Sequence, residues 1–197
     1  MINDRLQKQI NFMLELDKMK NLYRQTYVLH EDRKENDAEH SWHLAILAIL
    51  LSEYANEPID TLNVLKMVLI HDVVEIDAGD TYCYDENGNK TKADREEKAA
   101  QRIFGVLPDD QKKEFYKLWK EFEDNVTNDA KFANILDRLQ PLMLNYTKDG
   151  ISWKEHEIKK EQVLQRNIHL FEASDILAEF IKSIIDDAEY KGFFKLD

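Results

Sequence analysis

Apolar residues recur at helical spacing in almost every long segment of this chain, and strict alternation of polar and apolar residues is rare. A helix with that pattern buries one face and leaves the other in water, so the pattern favours a set of packed amphipathic helices. The composition agrees, because the 197 residues include only five glycines and three prolines, which disfavour helices. The sequence therefore predicts an all-α fold in a single domain over residues 1–197, which is long enough for one substantial core.

The periodicity also predicts where the individual helices begin and end. The expected ranges are 4–22, 37–55, 60–76, 91–105, 109–124, 128–147, 160–172 and 174–191. Two polar stretches that contain glycine predict loops, one at 85–90 and one at 147–150. Both are too short to link separate domains.

Charge and cysteine content exclude several classes of protein. The formal net charge of −12 argues against a protein that binds a nucleic-acid polymer through a broad basic surface. A small phosphorylated metabolite stays compatible with this charge, since a buried metal ion and a few local cations reverse the sign of one pocket. Cys83 is the single cysteine, which excludes an internal disulfide and favours a reducing compartment. Because the sequence shows no apolar run of about 18 residues and no signal-peptide core, we expect a cytoplasmic protein without membrane attachment.

Four polar residues interrupt helix faces that are otherwise apolar. His40 lies on an apolar stripe, His71 and Asp72 follow the apolar run 64–70, and Asp137 stands within a third apolar helix. Burial of such groups is unfavourable unless a partner or an ion satisfies them. Two imidazoles and two carboxylates are a mixed ligand set suited to Mn, Fe, Co, Ni or Zn ions, and less suited to Ca or Mg. We therefore expect one divalent transition-metal ion.

The order of these residues resembles the HD-domain superfamily of metal-dependent phosphohydrolases. The signature of that superfamily is a histidine, then an adjacent His-Asp pair, then a distant aspartate, on successive helices. The matching residues here are His40, His71, Asp72 and Asp137. His43 is the rival for the first position, but His40 completes the motif and shares the apolar stripe. The resemblance implies an HD-domain helical bundle with its motif core at about 15–147, on which the C-terminal helices pack.

The segments around the motif, at 33–43, 71–80 and 135–141, resemble the small HD subfamily that includes bacterial 5'-deoxynucleotidases. This resemblance implies a divalent-metal-dependent phosphomonoester hydrolase that acts on a nucleoside 5'-monophosphate. The expected partner is thus a small phosphorylated metabolite, a nucleotide. Members of this group tend to be dimeric, so the resemblance also suggests a homodimer.

Two acidic residues gain a role from the same resemblance. In the nucleotidase group, the glutamate of a His-Asp-x-x-Glu pattern and the aspartate of a following Gly-Asp take part in catalysis and substrate binding. These positions are Glu75 and Asp80 here. Glu75 also stands one helical turn beyond the His-Asp pair, from where its carboxylate can reach a water on the ion. Asp77 is the less favoured neighbour.

The group further uses an arginine of the first helix to hold phosphate, and Arg24 lies in the matching region. A planar guanidinium binds two phosphate oxygens at once. Arg33 is the second expected phosphate-binding residue, with Lys34 as an alternative. Gln25 replaces the tryptophan that the nucleotidases place after this arginine, which leaves the nucleoside contact open. Arg138 is interpreted as a structural residue that pairs with a nearby carboxylate.

Three other functions are compatible with the same residues. One is an HD-domain hydrolase of nucleoside triphosphates or of a signalling nucleotide, although such enzymes usually carry added basic or regulatory segments. Another is a metal-binding helical module without catalysis, which the presence of Glu75 and Asp80 beside the ligands disfavours. The third is an acidic helical interaction protein in which the motif is coincidental.

Overall fold

The structure, a computed structural model, describes residues 3–195, apart from the side chain of Glu86. Over these residues the chain forms helices and one small antiparallel sheet, which confirms the all-α prediction. The α-helices are α1 (Asp4–Leu16), α2 (Asp37–Leu51), α3 (Thr61–Ile70), α4 (Glu75–Ala78), α5 (Glu86–Phe104), α6 (Asp109–Asp124), α7 (Asn128–Thr147), α8 (Ile151–Glu155), α9 (Lys160–Arg166) and α10 (Asp175–Tyr190). None of the helices between residues 3 and 195 is long and apolar enough to cross a membrane.

Several predicted α-helices end earlier than expected because their last residues form 3-10 turns. The predicted helix 4–22 becomes α1 and a 3-10 turn, Asp17–Asn21. The predicted helix 60–76 is divided in the same way by a 3-10 turn at His71–Val74, which separates α3 from α4. A 3-10 turn advances the chain with fewer residues per turn, so it changes the direction in which neighbouring side chains point. Here it directs His71 and Asp72 away from the apolar stripe of α3.

Two features of the fold were predicted incorrectly. The first is the sheet, in which β1 (Tyr23–Tyr27) pairs antiparallel with β2 (Lys34–Asn36). The second is the expected loop at 85–90, where the structure has the first turn of α5. Asp85 caps this helix by accepting hydrogen bonds from the backbone N–H groups of Asn87 and Gly88. The second predicted loop is confirmed, since α7 ends at Thr147 and Gly150 adopts a positive φ of 69°.

Helices α2, α3 and α7 pack against one another at the centre of the molecule, α6 and α10 pack on them, and α5 packs on α6, α4 and the 3-10 turn after α3. The central three helices bury large apolar side chains completely, among them Leu44, Met67, Phe132 and Leu136. Burial of each such side chain stabilises the folded chain by about 1.5–3 kcal/mol. The polar residues of the motif lie on these same three helices or directly after them, so a rigid core positions the candidate site.

Candidate metal centre

Three core elements bring two imidazoles and two carboxylates together. His40 lies in the first turns of α2, whose start is fixed by a capping box at Asn36. His71 and Asp72 occupy the 3-10 turn that follows α3. Asp137 projects from the middle of α7. The structure therefore places all four predicted ligand residues around one point.

The distances between their polar atoms suit a single ion. Nε2 of His40 lies 3.0 Å from Oδ1 of Asp137 and 3.8 Å from Oδ2 of Asp72. Nε2 of His71 lies 3.6 Å from the same Asp137 oxygen and 3.1 Å from the same Asp72 oxygen. Two ligands bound at about 2.1 Å in neighbouring coordination positions are about 3.0–3.4 Å apart, so these separations fit one metal ion with little movement.

Hydrogen bonds to the other ring nitrogens fix both histidines. Nδ1 of His71 lies 3.0 Å from the carbonyl oxygen of Val68, which can only accept a hydrogen bond. Nδ1 of His71 therefore carries the proton, and in the neutral ring Nε2 presents a lone pair to the carboxylates. Nδ1 of His40 pairs at 3.0 Å with Oε1 of Gln140 in the same manner. Partners of this kind orient metal-binding imidazoles.

Gln140 continues this network away from the centre. Its Nε2 donates to Glu35 at 2.6 Å and lies 3.1 Å from Nδ1 of His43. His43 is thus linked to His40 through Gln140, whereas His40 itself contacts Asp137. The placement favours His40, and not its rival, as the first ligand.

The charges of the centre favour the binding of a cation. Burial lowers the pKa of His71, but the charges of Asp72 and Asp137 outweigh burial and the net direction is upward. Burial raises the pKa of Asp137, yet hydrogen bonds and charge from His40 and His71 hold it well below its usual range. Among residues 3–195, Nε2 of His71 is also a buried polar atom without a hydrogen bond of good geometry. A cation shared by these groups would satisfy all of them, so the donor set fits a divalent transition metal.

Arg24 reaches the centre from strand β1, which begins two residues after the 3-10 turn that follows α1. Its Nη1 donates to Oδ2 of Asp72 at 2.6 Å and to Oδ1 of Asp37 at 3.4 Å. Its Nη2 lies 3.9 Å from Oδ1 of Asp137. A guanidinium next to the candidate ligands is well placed to bind the oxygens of a phosphate.

Arg33 does not reach the centre, which corrects the prediction that it binds phosphate. Its guanidinium forms a two-pronged pair with Glu39, at 2.8 and 2.7 Å, and a further bond to Glu31. The side chain is exposed and lies outside the cleft lined by Arg24. The alternative residue, Lys34, is likewise engaged with Gln25.

Glu75 and Asp80 both lie beside the centre, as predicted. Glu75 begins α4 and is buried, and burial together with the charge of Asp72 raises its pKa well above the usual range. Its Oε2 forms no hydrogen bond within the described residues. Burial raises the pKa of Asp80, which lines the adjoining cleft. Asp77 points elsewhere and pairs with Arg102 at 2.7 Å.

Asp37 is a residue of the site that the sequence reading missed. It is completely buried, and burial followed by the charge of Asp72 raises its pKa to about 7. Oxygen atoms of Asp37, Asp72 and Glu75 lie within 4.8 Å of one another. Asp37 is the first residue of α2, where an acidic residue is common, so only the approach of Arg24 from strand β1 reveals that Asp37 belongs to the site.

A cleft of about 130 Å³ adjoins the centre and is partly open to solvent. One end holds Arg24, Asp72, Glu75, Asp80 and Asp137. The remaining wall comes from the segment 81–84 and from helices α5, α7 and α9, with Trp153 behind it. Because the cleft is open to solvent and ends at the candidate metal ligands, a small molecule can enter it and lie against them.

Three cations on the cleft wall were not predicted as site residues. Lys92 lies 3.4 Å from the buried carboxyl of Glu96, and it lines the same cleft as Glu75. Arg138 and Arg166 lie on α7 and α9. The interpretation of Arg138 as the partner of a carboxylate is wrong, since among residues 3–195 it forms no ion pair and donates instead to the carbonyl of Arg166. Burial, and then the charge of Arg166, lower the pKa of Arg138.

Comparison with known proteins agrees with this geometry. The sequence profile of the HD domain matches residues 16–177. The human 5'-deoxynucleotidase HDDC2 is 32% identical over 114 residues, which are 56% of this chain and 53% of that protein. The chain thus spans about half the length of the human relative. The protein of the same name from Dictyostelium discoideum is 27% identical over 154 residues, 75% of this chain and 80% of its own.

Solved structures extend the likeness to the whole fold. A structure described as a predicted metal-dependent phosphohydrolase from Magnetospirillum magnetotacticum has 44% sequence identity and a TM-score of 0.92. The match covers 98% of this chain and 100% of that one. An HD-domain phosphohydrolase from Listeria innocua shares the fold, with a TM-score of 0.66 at 17% identity over 91% of this chain and 89% of its own. With the profile match and the meeting of His40, His71, Asp72 and Asp137 at one point, the chain belongs to the HD domain family.

Proposed function

We propose that this protein is a divalent-metal-dependent phosphomonoesterase that hydrolyses nucleoside 5'-monophosphates to a nucleoside and phosphate. The observation that carries the proposal is the meeting of two imidazole Nε2 atoms with the carboxylates of Asp72 and Asp137, at 3.0–3.8 Å, at the end of an open cleft. Arg24 supplies a cation at the same end. The nucleotide part of the proposal is supported by the relatives named 5'-deoxynucleotidase.

The metal ligands in this proposal are His40, His71, Asp72 and Asp137. When bound there, a divalent ion of Mn, Fe, Co, Ni or Zn supplies Lewis acidity toward a phosphoryl oxygen and lowers the pKa of a bound water. Four protein ligands leave open positions on a six-coordinate ion for water and substrate.

The other residues supply proton transfer and positioning. Glu75 accepts the proton of the attacking water, because its carboxylate lies beside Asp72 and has an oxygen without another partner. Its pKa is raised by burial and by the charge of Asp72, and a cation bound beside Asp72 would lower it again. Arg24 neutralises the non-bridging oxygens of the phosphate. Asp80, which lines the same cleft and whose pKa burial raises, donates a proton to the leaving oxygen.

The choice of a monophosphate rests on the charges nearest to the ligands. Arg24 is the arginine that contacts Asp72 and Asp37 at the end of the cleft where the ligands lie. One guanidinium there suits one phosphate group. Arg33 and Lys34, which were also expected to bind phosphate, pair with Glu39 and Gln25 instead. A homodimer and a cytoplasmic location also remain predictions from the sequence.

A phosphate-release screen tests the proposal. The chelator-treated protein is reloaded with Mn, Co, Ni or Zn ions and offered nucleoside 5'-monophosphates, the matching triphosphates and phosphomonoesters without a base. We expect phosphate release from the nucleoside monophosphates to be fastest, and Asp137→Asn to lose it. Faster release of pyrophosphate or triphosphate from a nucleoside triphosphate would assign the chain to the alternative group of HD hydrolases.

A further inference from the structure

Arg138 and Arg166 form an isolated pair of cations on the cleft wall. Arg138 projects from α7 directly after Asp137, and Arg166 is the last residue of α9. Both side chains are half-buried and line the same cleft as Arg24 and Glu75. Arg138 donates to the backbone carbonyl of Arg166, which brings the two residues together. Two guanidinium charges are thus held on one wall of the cleft.

The pair is unusual in this chain because it has no acidic partner. The sequence carries 39 aspartates and glutamates and only seven arginines, so most arginines pair with a carboxylate. Arg5, Arg24, Arg33 and Arg102 all do so. Arg95 instead binds the carbonyls of Ala78 and Gly88 and the hydroxyl of Thr81.

Arg166 lacks even such neutral partners. In the part of the chain that the structure describes, its guanidinium forms no ion pair, and no hydrogen bond to another side chain or carbonyl is present. Holding two like charges together without a counter-ion is unfavourable, so the wall is suited to an anion that comes from outside the chain.

We propose that Arg138 and Arg166 form a second anion-binding subsite, which holds a phosphate or carboxylate group of the substrate other than the phosphate that is cleaved. The inference rests on the proposed phosphomonoesterase function and predicts that a second acidic group, on a nucleoside 5'-monophosphate or on another phosphomonoester, raises kcat/KM. Guanidinium groups bind phosphate and carboxylate oxygens two at a time, which makes either group a suitable ligand. Arg24 remains the cation for the scissile phosphate, since it contacts the candidate metal ligands.

Matched pairs of substrates test the subsite. Deoxyadenosine 5'-monophosphate is compared with deoxyadenosine 3',5'-bisphosphate for a second phosphate, and glycerol 3-phosphate with 3-phosphoglycerate for a carboxylate. We expect kcat/KM of the manganese-loaded protein to be at least about 10-fold higher for the doubly acidic member of one pair. Arg166→Gln should lower that value by about 10- to 100-fold and leave the singly acidic member within about 3-fold, because a hydrogen bond to a charged group is lost. Arg166→Lys should lose less, since it keeps the charge.

Arg5→Gln is the matched control, because it makes the same chemical change at an exposed residue paired with Asp110 outside the cleft. It should leave both members of each pair unchanged. An equal effect of Arg166→Gln on both members, or no effect on either, would overturn the subsite. A loss confined to the nucleotides, whatever their second group, would show that Arg166 contacts the base and would also overturn it.

A binding measurement separates this proposal from the proposed function. Thermal shift of the chelator-treated protein with deoxyadenosine 3',5'-bisphosphate requires no turnover. Stabilisation by this probe that Arg166→Gln removes and Arg5→Gln keeps supports the subsite, even if no phosphomonoester is hydrolysed and the proposed function fails. Equal stabilisation of all three proteins, or none, refutes the subsite even if monophosphates are hydrolysed.

Discussion

The buried carboxyl of Glu96 should make the stability of this protein fall between acidic and neutral pH. Glu96 is only 4% exposed and lies 3.4 Å from Nζ of Lys92, one of the three cations on the cleft wall named above. Burial raises its pKa to about 7, because the charge of Lys92 offsets desolvation only in part. Glu96→Gln removes the titration while it preserves the size and shape of the side chain.

The direction and the size of this pH effect follow from the pKa of Glu96 in the folded chain and its ordinary pKa in the unfolded chain. A carboxyl with a higher pKa in the folded chain binds its proton more tightly there, so its contribution to stability is complete below the ordinary value of 4.5. That contribution is lost as pH rises through about 7. The loss amounts to about 3 kcal/mol, since one pH unit between the two values corresponds to about 1.4 kcal/mol. For a chain of this length, the melting temperature should shift by roughly 6–12 °C.

Thermal unfolding of the chelator-treated protein at pH 5 and pH 8 measures this effect. We expect Glu96→Gln and the parent to melt at similar temperatures at pH 5, and the variant to melt several degrees higher at pH 8. Asp94→Asn is the matched control, because it removes an exposed carboxylate from the same helix and should give the same difference at both pH values. An equal difference between Glu96→Gln and the parent at both pH values would refute the reasoning.

Three further substitutions test the roles of the site residues. Glu75→Gln should keep the bound ion and lower kcat by about 10²–10⁴-fold, as expected for loss of a general base, and activity within a factor of about two would remove it from the mechanism. Asp80→Asn should lower kcat/KM far more than Asp77→Asn, since Asp77 pairs with Arg102 away from Asp80 and the cleft, and equal effects would contradict this assignment. Arg24→Met should raise KM without weakening metal binding, because it removes a positive charge that competes for Asp72, and a loss of metal would show that Arg24 acts by holding this ligand.

The helical core could be predicted from the sequence because its signals are local. Apolar spacing predicted the whole of α7 and the starts of α2 and α3, and α2 and α7 carry His40 and Asp137. The sheet could not be predicted, since β1 and β2 are short, polar strands without alternation. The strand that carries Arg24 was therefore missed, although the residue itself was named.

Residues that join the site through tertiary contacts were the ones missed. Asp37 meets Asp72 only because β1 and β2 bring the start of α2 beside the turn after α3. Arg166 lies 28 residues after Arg138, and only the packing of α9 near α7 reveals the pair. Arg33 was wrongly expected to bind phosphate, because the sequence alone does not show that its guanidinium pairs with Glu39. Charge in a sequence indicates a site only after the partners of each charge are known.

Metal content is the most direct test of the central claim that His40, His71, Asp72 and Asp137 bind one divalent ion. The measurement is elemental analysis and calorimetric titration with Mn or Co ions after chelation, on the parent and on the alanine variant of each residue. We expect about one ion per parent chain, a melting temperature that falls on chelation, and loss of stoichiometric metal in all four variants. Asp94→Ala, on the exposed face of α5, should bind as the parent does. Stoichiometric metal of unchanged affinity in Asp137→Ala would contradict the four-residue site.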